Sequence, residues 1–496
     1  MSAHGWVTDA LILVPLGGAL LVWLVPMPRV WIAPTALLVS LFEIGFWVEA
    51  VARFDFDRGG LQEASKLTWF DDLGASYHVG MFEGFSLWLV GLTTIVLAAA
   101  TAYGLWAGRD RPRAYYGLML FLTGAIVGVF TSQDLLLFYV FWEAMLIPLY
   151  VLIGVWGGPG RLGATIKFVI YTMVGSLLML AAVIVYGLQA GTFSMIDGGT
   201  NASDWVFLGF AAAFVVKAPL FPFHGWLPDA YRESPPEVSA VLSGVVSKAA
   251  AFGFLRICFS LFPAGVHDLR TPILVLAAIG LVYGSLLAFR APDLRGVVAY
   301  SSLAQMGLIT LGLFATNDLG IDGAVLQMVN HGLISATLFM LAGAVERRTS
   351  TGQFALLGGM ARGRPALATV LMTTGIIALA VPGSTAFAGE FAILAGVFRQ
   401  GWFYAVVGAV AIVLAAMYVL RMISAVLHDR VGSAVSDSAL DLRPAELAIL
   451  VPLVGLLLFL SAWPAAITDR TVAAGRVLQA SAATGWTAYP GKVATK

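Results

Sequence analysis

Apolar stretches long enough to cross a bilayer follow one another along almost the whole chain. Reading for runs of roughly 17–25 apolar residues gives fourteen candidate spans, near 10–25, 30–50, 82–106, 114–132, 134–156, 163–189, 205–222, 237–262, 272–289, 296–316, 320–345, 366–398, 402–428 and 444–468. Lipid offers a backbone no hydrogen-bond partners, so only helices and closed barrels cross it, and these runs are far too long for barrel strands. The expected fold class is an all-α polytopic membrane protein of about 14 transmembrane helices.

Composition agrees. Of 496 residues, 59% are hydrophobic and 11% charged, against about 25% charged in an average soluble domain, which leaves too few charges to coat a water-soluble globule. The 28 Lys and Arg balance 28 Asp and Glu without a polybasic tail, which argues against disorder and against nucleic acid as a partner. Cys258 is the single cysteine, so disulfides, thiolate iron–sulfur clusters and cysteine zinc sites within the chain are excluded. No cofactor or metal is expected in this chain. The first span lacks the basic n-region of a cleavable signal, because no Lys or Arg precedes Arg29.

Fourteen spans place both termini on one side, and the basic residues choose which. Fourteen arginines, from Arg29 to Arg443, fall in loops after odd-numbered spans; five basic residues (Arg53, Arg58, Lys66, Arg270, Arg399) follow even-numbered ones. The positive-inside rule then puts the odd loops in the cytoplasm and both termini outside. Residues 1–470 read as one transmembrane domain, with 471–496, rich in Ala, Thr and Gly, as a surface tail.

Several charges lie where lipid tolerates none. Glu143, Lys217 and Lys248 fall near the middle of their spans, and Glu390 lies inside another. Each charge at a helix centre costs about 2.5–3.5 kcal/mol, so the four together would cost on the order of 10–14 kcal/mol if they faced lipid. That rivals the roughly 5–15 kcal/mol stability of a whole domain. They are expected to face the protein interior as part of a proton or ion path, because buried ion pairs are poor glue. Glu43 and Glu49 lie toward a span end and are expected to reach water.

Two spans are punctuated by proline: Lys217-Ala-Pro219-Leu-Phe-Pro222-Phe-His224-Gly225-Trp226-Leu-Pro228-Asp229 and Val381-Pro382-Gly383-Ser-Thr-Ala-Phe-Ala-Gly389-Glu390-Phe391. Proline removes a donor and clashes with the preceding turn, so each span is expected to break at membrane depth. Pro219 and Pro382 are 163 residues apart, and the spans starting near 114 and 272 differ by a similar 158. An offset of five spans implies two inverted five-helix repeats, 114–262 (spans 4–8) and 272–428 (spans 9–13), each with a discontinuous helix. Broken helices at matching positions of an inverted repeat point to a transport pathway.

Ser239, Ser243 and Ser247 recur every four residues beside Lys248, a stripe that either holds a file of water or lets helices pack closely. His331, in Gln327-Met-Val-Asn330-His331, suits a proton relay. Gly158-Pro159-Gly160-Arg161-Leu162-Gly163 matches a dinucleotide pattern, but it follows no strand and has no acidic ribose partner, so it reads as a turn.

Together the Phe141-Trp142-Glu143 element, the Lys217–Asp229 segment, Ser247-Lys248-Ala-Ala and Gly389-Glu390-Phe391 resemble the antiporter-like subunits of respiratory complex I, the bacterial NADH:quinone oxidoreductase, and among them the M, or chain-4, type. The resemblance runs from Leu73 to about Pro464. It implies a proton-translocating subunit with a hydrated polar axis at the membrane midplane, running from cytoplasm to periplasm. Glu143 would modulate the proton affinity of Lys217, the central carrier; Lys248 would be its partner, His331 a relay and Glu390 the terminal carrier. Pro219, Pro382, His224, Ser243, Ser247 and Gln305 would support them. Two departures stand out: Gln305 occupies a position where many relatives have His, and Glu83 stands near a position where relatives often have Asp. FMN, iron–sulfur clusters and quinone would belong to partner subunits, so this chain alone would catalyse no redox step. Expected partners are sister antiporter-like subunits on both sides, a hydrophilic redox arm and the lipid bilayer of the inner membrane. A large subunit of a multi-subunit cation/proton antiporter, and a membrane subunit of a membrane-bound hydrogenase or ferredoxin-linked complex, are the rival readings.

Overall fold

Prolines mark where many helices start. Pro112–Thr131, Pro236–Leu261, Pro263–Arg290, Pro365–Ala378 and Pro444–Ala462 each open on a proline in the computed structural model, where its missing N–H costs nothing. The structure describes residues 5–197, 204–436 and 440–471. The reading of 471–496 as a surface tail therefore lies, apart from Thr471, outside the described residues. The chain is mostly helical, and among the described residues twelve helices are long and apolar enough to cross a membrane. Three shorter apolar helices, Trp205–Lys217, Pro365–Ala378 and Thr385–Phe398, stand beside them.

Those short helices arise from the proline-punctuated segments. The helix Asp204–Lys217 stops one residue before Ala218-Pro219, and the backbone resumes a helix at Leu227–Glu233. Pro365–Ala378 and Thr385–Phe398 are separated by Pro382 and by Gly383, whose φ of +96° suits glycine. Ser384 caps the second piece by accepting from the Phe387 amide at 3.2 Å. A third interruption has no counterpart in the sequence reading. Leu135–Ala144 gives way to a turn at Met145 before Leu146–Trp156; Pro148 would clash with the carbonyl four residues back, at Ala144. Glu143 thus sits at the end of a helical segment.

The all-α expectation needs one correction. Leu61–Phe70 and Ala75–Phe82 pair as an antiparallel hairpin between the second and third long helices. Glu83, at φ +53°, accepts from the Gly60 amide at 2.8 Å and closes the base of this hairpin. It is committed there, at the hairpin base.

Two helices form the centre. The most apolar stretches of Pro236–Leu261 and Asp318–Thr349 are fully buried, whereas those of Arg29–Arg53 and Trp402–His428 are mostly exposed along the outside. Small residues bring the central pair together: a Cβ on Gly332 would lie 2.7 Å from the Gly244 carbonyl oxygen, and one on Gly244 would lie 3.1 Å from that of Gly332. On the other side of Asp318–Thr349, a Cβ on Gly323 would meet the Ile393 nitrogen at 2.7 Å. Glycines therefore let this one helix touch the Lys248 helix and the Glu390 helix at once. Two π-helical stretches, Leu242–Val246 and Phe254–Cys258, flank the turn that carries Lys248, a local widening that recurs at functional positions in helices.

Glu43 corrects a second expectation. It is fully buried and neither carboxylate oxygen has a hydrogen-bond partner among the described residues, so it does not reach water. Glu49 does, paired with Arg53 at 2.6 Å.

Replacing Gly332 with Val is expected to force the central helices apart and destabilise the fold by about 1–3 kcal/mol, the usual cost of overpacking. The measurement is the thermal midpoint of the solubilised protein; an unchanged midpoint would show that the helices do not meet there.

Candidate functional site

The glycine contact explains the first part of the site. One residue before Gly332 stands His331, and four residues after Gly244 stands Lys248. Lys248 Nζ lies 2.7 Å from His331 Nδ1 and donates to the Ser243 carbonyl at 2.5 Å, with the Ser247 hydroxyl at 3.4 Å. Both side chains are buried, Lys248 at 0% exposure and His331 at 4%. When Lys248 is an ammonium it can only donate, so Nδ1 must accept and the imidazole proton resides on Nε2. Nε2 is buried without a partner among the described residues.

Beyond His331 lies a cavity of about 30 Å³ whose walls include His331, Ser301, Gln305, Gln327, Glu390 and Tyr418. A water needs roughly 10–15 Å³ of such space and two or more polar partners, so there is room for about two. Glu390, 2% exposed, accepts at Oε1 from Gln305 Nε2 at 2.9 Å, while Oε2 has no partner among the described residues. The break at 379–384 starts the Glu390 helix at Thr385, which sets Glu390 five residues in, level with this cavity.

Lys217 occupies different surroundings. It is 1% exposed, its Nζ has no hydrogen-bond partner among the described residues, and it stands over the rings of Trp142 at 5.2 Å and Phe168 at 5.8 Å. Cation–π attraction is thus what the ammonium receives in place of hydrogen bonds. Glu143 follows Trp142 directly and is half-buried with Oε1 unpartnered among the described residues. Carboxylate and ammonium are neighbours without being joined.

Further hydroxyls gather around Ser243, the residue whose carbonyl Lys248 bonds. The Tyr231 hydroxyl, fully buried, donates to the Leu242 carbonyl at 3.2 Å, and the Ser243 and Ser302 hydroxyls are 2.7 Å apart. Of the serine stripe, Ser239 and Ser247 donate to the backbone carbonyls of Tyr231 and Ser243, whereas Ser243 pairs with the hydroxyl of another helix. A polar groove of about 650 Å³, lined by Arg109, Arg232, Glu233 and Arg295, reaches Ser234 and Pro235 at the N-terminus of this helix.

The structure thus brings Lys248, His331, Gln305 and Glu390 together, with Ser243 and Ser247 beside Lys248. Lys217 and Glu143 form a second group around Trp142. Pro219 is buried just after Lys217, and Pro382 is exposed in its break. His224 joins neither group: its ring stacks on Phe221 and meets Tyr283 edge-on at 5.1 Å. The 158–163 motif is a turn whose Gly160 amide donates to Glu233. Sequence reasoning missed Tyr231, Ser302, Gln327, Asn330 and Tyr418. One signal was available, since Gln327, Asn330 and His331 recur at helical spacings of three and four on an otherwise apolar helix.

Residues 132–415 match the model of the NADH:quinone oxidoreductase/Mrp antiporter membrane family. The NADH-quinone oxidoreductase subunit M of Rhodobacter capsulatus is 35% identical over 459 residues, covering 88% of each chain. A chain of the respiratory complex I structure from Thermus thermophilus superposes with a TM-score of 0.88 at 28% identity, covering 97% of this chain and 100% of that one. A chain of the Mrp complex from Dietzia shares the fold, with a TM-score of 0.87 at 20% identity over 96% and 98% of the two chains.

If these buried charges serve chemistry, stability should not depend on them. Lys217→Met keeps an unbranched side chain of similar length and removes a buried ammonium; its thermal midpoint is expected to be unchanged or higher by a few degrees, about 1 kcal/mol. A fall of several degrees would mark the ammonium as a structural element.

Its family model, its relatives and its fold agree: the chain belongs to the membrane subunits of the NADH:quinone oxidoreductase/Mrp antiporter family, and within them to the subunit M type.

Proposed function

We infer that this chain is a proton-translocating subunit of an NADH:quinone oxidoreductase, moving protons along the midplane from the Glu143–Lys217 group to Glu390. The contact of Lys248 with His331, and the cavity that His331 shares with Glu390, carry this reading. They supply a continuous set of titratable groups in a layer where each uncompensated charge costs several kcal/mol.

In this reading residues 1–470 make one membrane domain of fourteen spans. Twelve are the long helices, and the pairs Asp204–Lys217 with Leu227–Glu233, and Pro365–Ala378 with Thr385–Phe398, are two discontinuous spans. Spans 4–8 and 9–13 are inverted repeats, and both termini face the periplasm across the inner membrane. Redox chemistry belongs to partners: FMN, iron–sulfur clusters and quinone sit in other subunits, with sister antiporter-like subunits on both sides of this one. A charge change in that assembly acts on Glu143. A carboxylate drawn toward Lys217 favours its ammonium, and one drawn away favours proton release. The released proton passes the Tyr231, Ser243 and Ser302 hydroxyls to Lys248, then His331 and, through cavity water, Glu390.

Glu143→Gln and Lys217→Ala are each expected to reduce NADH-driven proton uptake in proteoliposomes by at least about tenfold, less than the roughly 100-fold or more that a positioned acid or base contributes, with the complex still assembled. Near-normal uptake by an assembled variant would contradict the proposed axis.

A further inference from the structure

Glu390 is held by a chain of neutral amides whose direction can be deduced. Asn330 bonds Thr385 twice: one end of its amide lies 2.8 Å from the Thr385 carbonyl oxygen and the other 2.7 Å from the Thr385 hydroxyl. A backbone carbonyl only accepts, so the end facing it must be the NH₂ group. That NH₂ also faces Gln327 at 3.5 Å, which must therefore present its oxygen. The far end of Gln327 is then its NH₂, 2.8 Å from Gln305, which must present its oxygen in turn. The remaining end of Gln305, an NH₂, lies 2.9 Å from Glu390 Oε1. The Gln327 NH₂ also faces Oε1 at 3.5 Å. Every donor in the series points toward the carboxylate: Asn330 cannot flip without breaking its bond to the Thr385 carbonyl, and neither glutamine can flip without setting donor against donor or acceptor against acceptor.

Resting on the proton-path reading above, we propose that Asn330, Gln327 and Gln305 are positioning residues: a one-way hydrogen-bond chain, anchored on the backbone at the helix break, that stabilises the Glu390 anion through Oε1 and reserves Oε2 for the proton. Donation to a carboxylate favours its charged form. When the carboxylate is protonated, the new O–H bond forms at Oε2, the oxygen without a partner, and the donor, cavity water or the His331 imidazolium, loses one proton. The titratable groups that share the cavity wall with Glu390 are His331 from the central helix and Tyr418 from Trp402–His428; the Gln305 helix contributes only Ser301 and Gln305 as polar residues there. Because no member of the chain titrates, protonation of Glu390 cannot be relayed away through it. Gln305 acts as a fixed donor.

The test is infrared spectroscopy of the purified parent complex at neutral pH, reading the C=O band of protonated carboxyl groups and assigning the Glu390 share by its loss in Glu390→Gln. Gln305→Met and Gln327→Met remove the donor and its orientation at similar volume, and the Glu390 band is expected to grow several-fold in both. Asn330→Leu, which removes no direct bond to Glu390, is expected to raise it as well, since Gln327 is then free to turn over. Gly389→Ala adds a Cβ that would stand 2.6 Å from the Gln327 oxygen and is expected to act in the same direction while keeping every amide. Unchanged bands in Gln305→Met and Gln327→Met would overturn the proposal, as would growth accompanied by a matching loss of thermal stability in every variant. The band is read without turnover, so it judges the amide chain separately from the pumping role: normal pumping by Glu390→Gln would sink the proton path and leave this assignment standing.

Discussion

Hydrocarbon gives a polar group nothing to bond to, and the arrangement of this molecule follows from that. Lys217, Lys248, His331 and Glu390 are all nearly or fully buried, and each is met by a different substitute for water. Lys248 has a carbonyl, a hydroxyl and an imidazole; Lys217 has two aromatic faces; Glu390 has an amide. These partners come from separate helices, so the helices must approach closely, and the Gly244–Gly332 and Gly323–Ile393 contacts allow it. Burial of the charges and glycine at the contacts are two sides of one requirement.

The breaks serve the same end. A continuous helix keeps its backbone groups to itself, whereas a break at membrane depth must be satisfied by protein or cavity water. At the Glu390 break the carbonyl and hydroxyl of Thr385 bond Asn330, and its amide accepts nothing but donates to the Ser461 hydroxyl at 3.0 Å. The interruption therefore pins Asn330 as well as ending a helix. At the other break, Trp226 donates to the Val216 carbonyl at 3.0 Å, closing the backbone around Lys217. Glu143, placed by Pro148 at a helix end, follows the same pattern without a tightly bonded partner.

Much of this was legible in the sequence because membrane burial makes charge conspicuous. A lysine amid Phe-Val-Val or a glutamate after Phe-Trp is improbable in lipid, and prolines announce where a helix must stop. Uncharged amides give no such alarm: Gln327 and Asn330 barely alter hydropathy, and their partners Gln305 and Thr385 lie 22 and 55 residues away. The hairpin escaped because Leu61–Phe70 mixes Gln, Glu, Ser and Lys with Leu, Trp and Phe, which reads as a loop between spans. The burial of Glu43 escaped because nearness to a span end says nothing about which neighbours pack over it.

In the proposed pathway protons travel through Lys248, His331 and Glu390 while electrons travel elsewhere. The most direct measurement is the number of protons moved per NADH oxidised in proteoliposomes carrying the complex with Glu390→Gln. A lower ratio is expected, with NADH oxidation retained under uncoupled conditions. An unchanged ratio would contradict it.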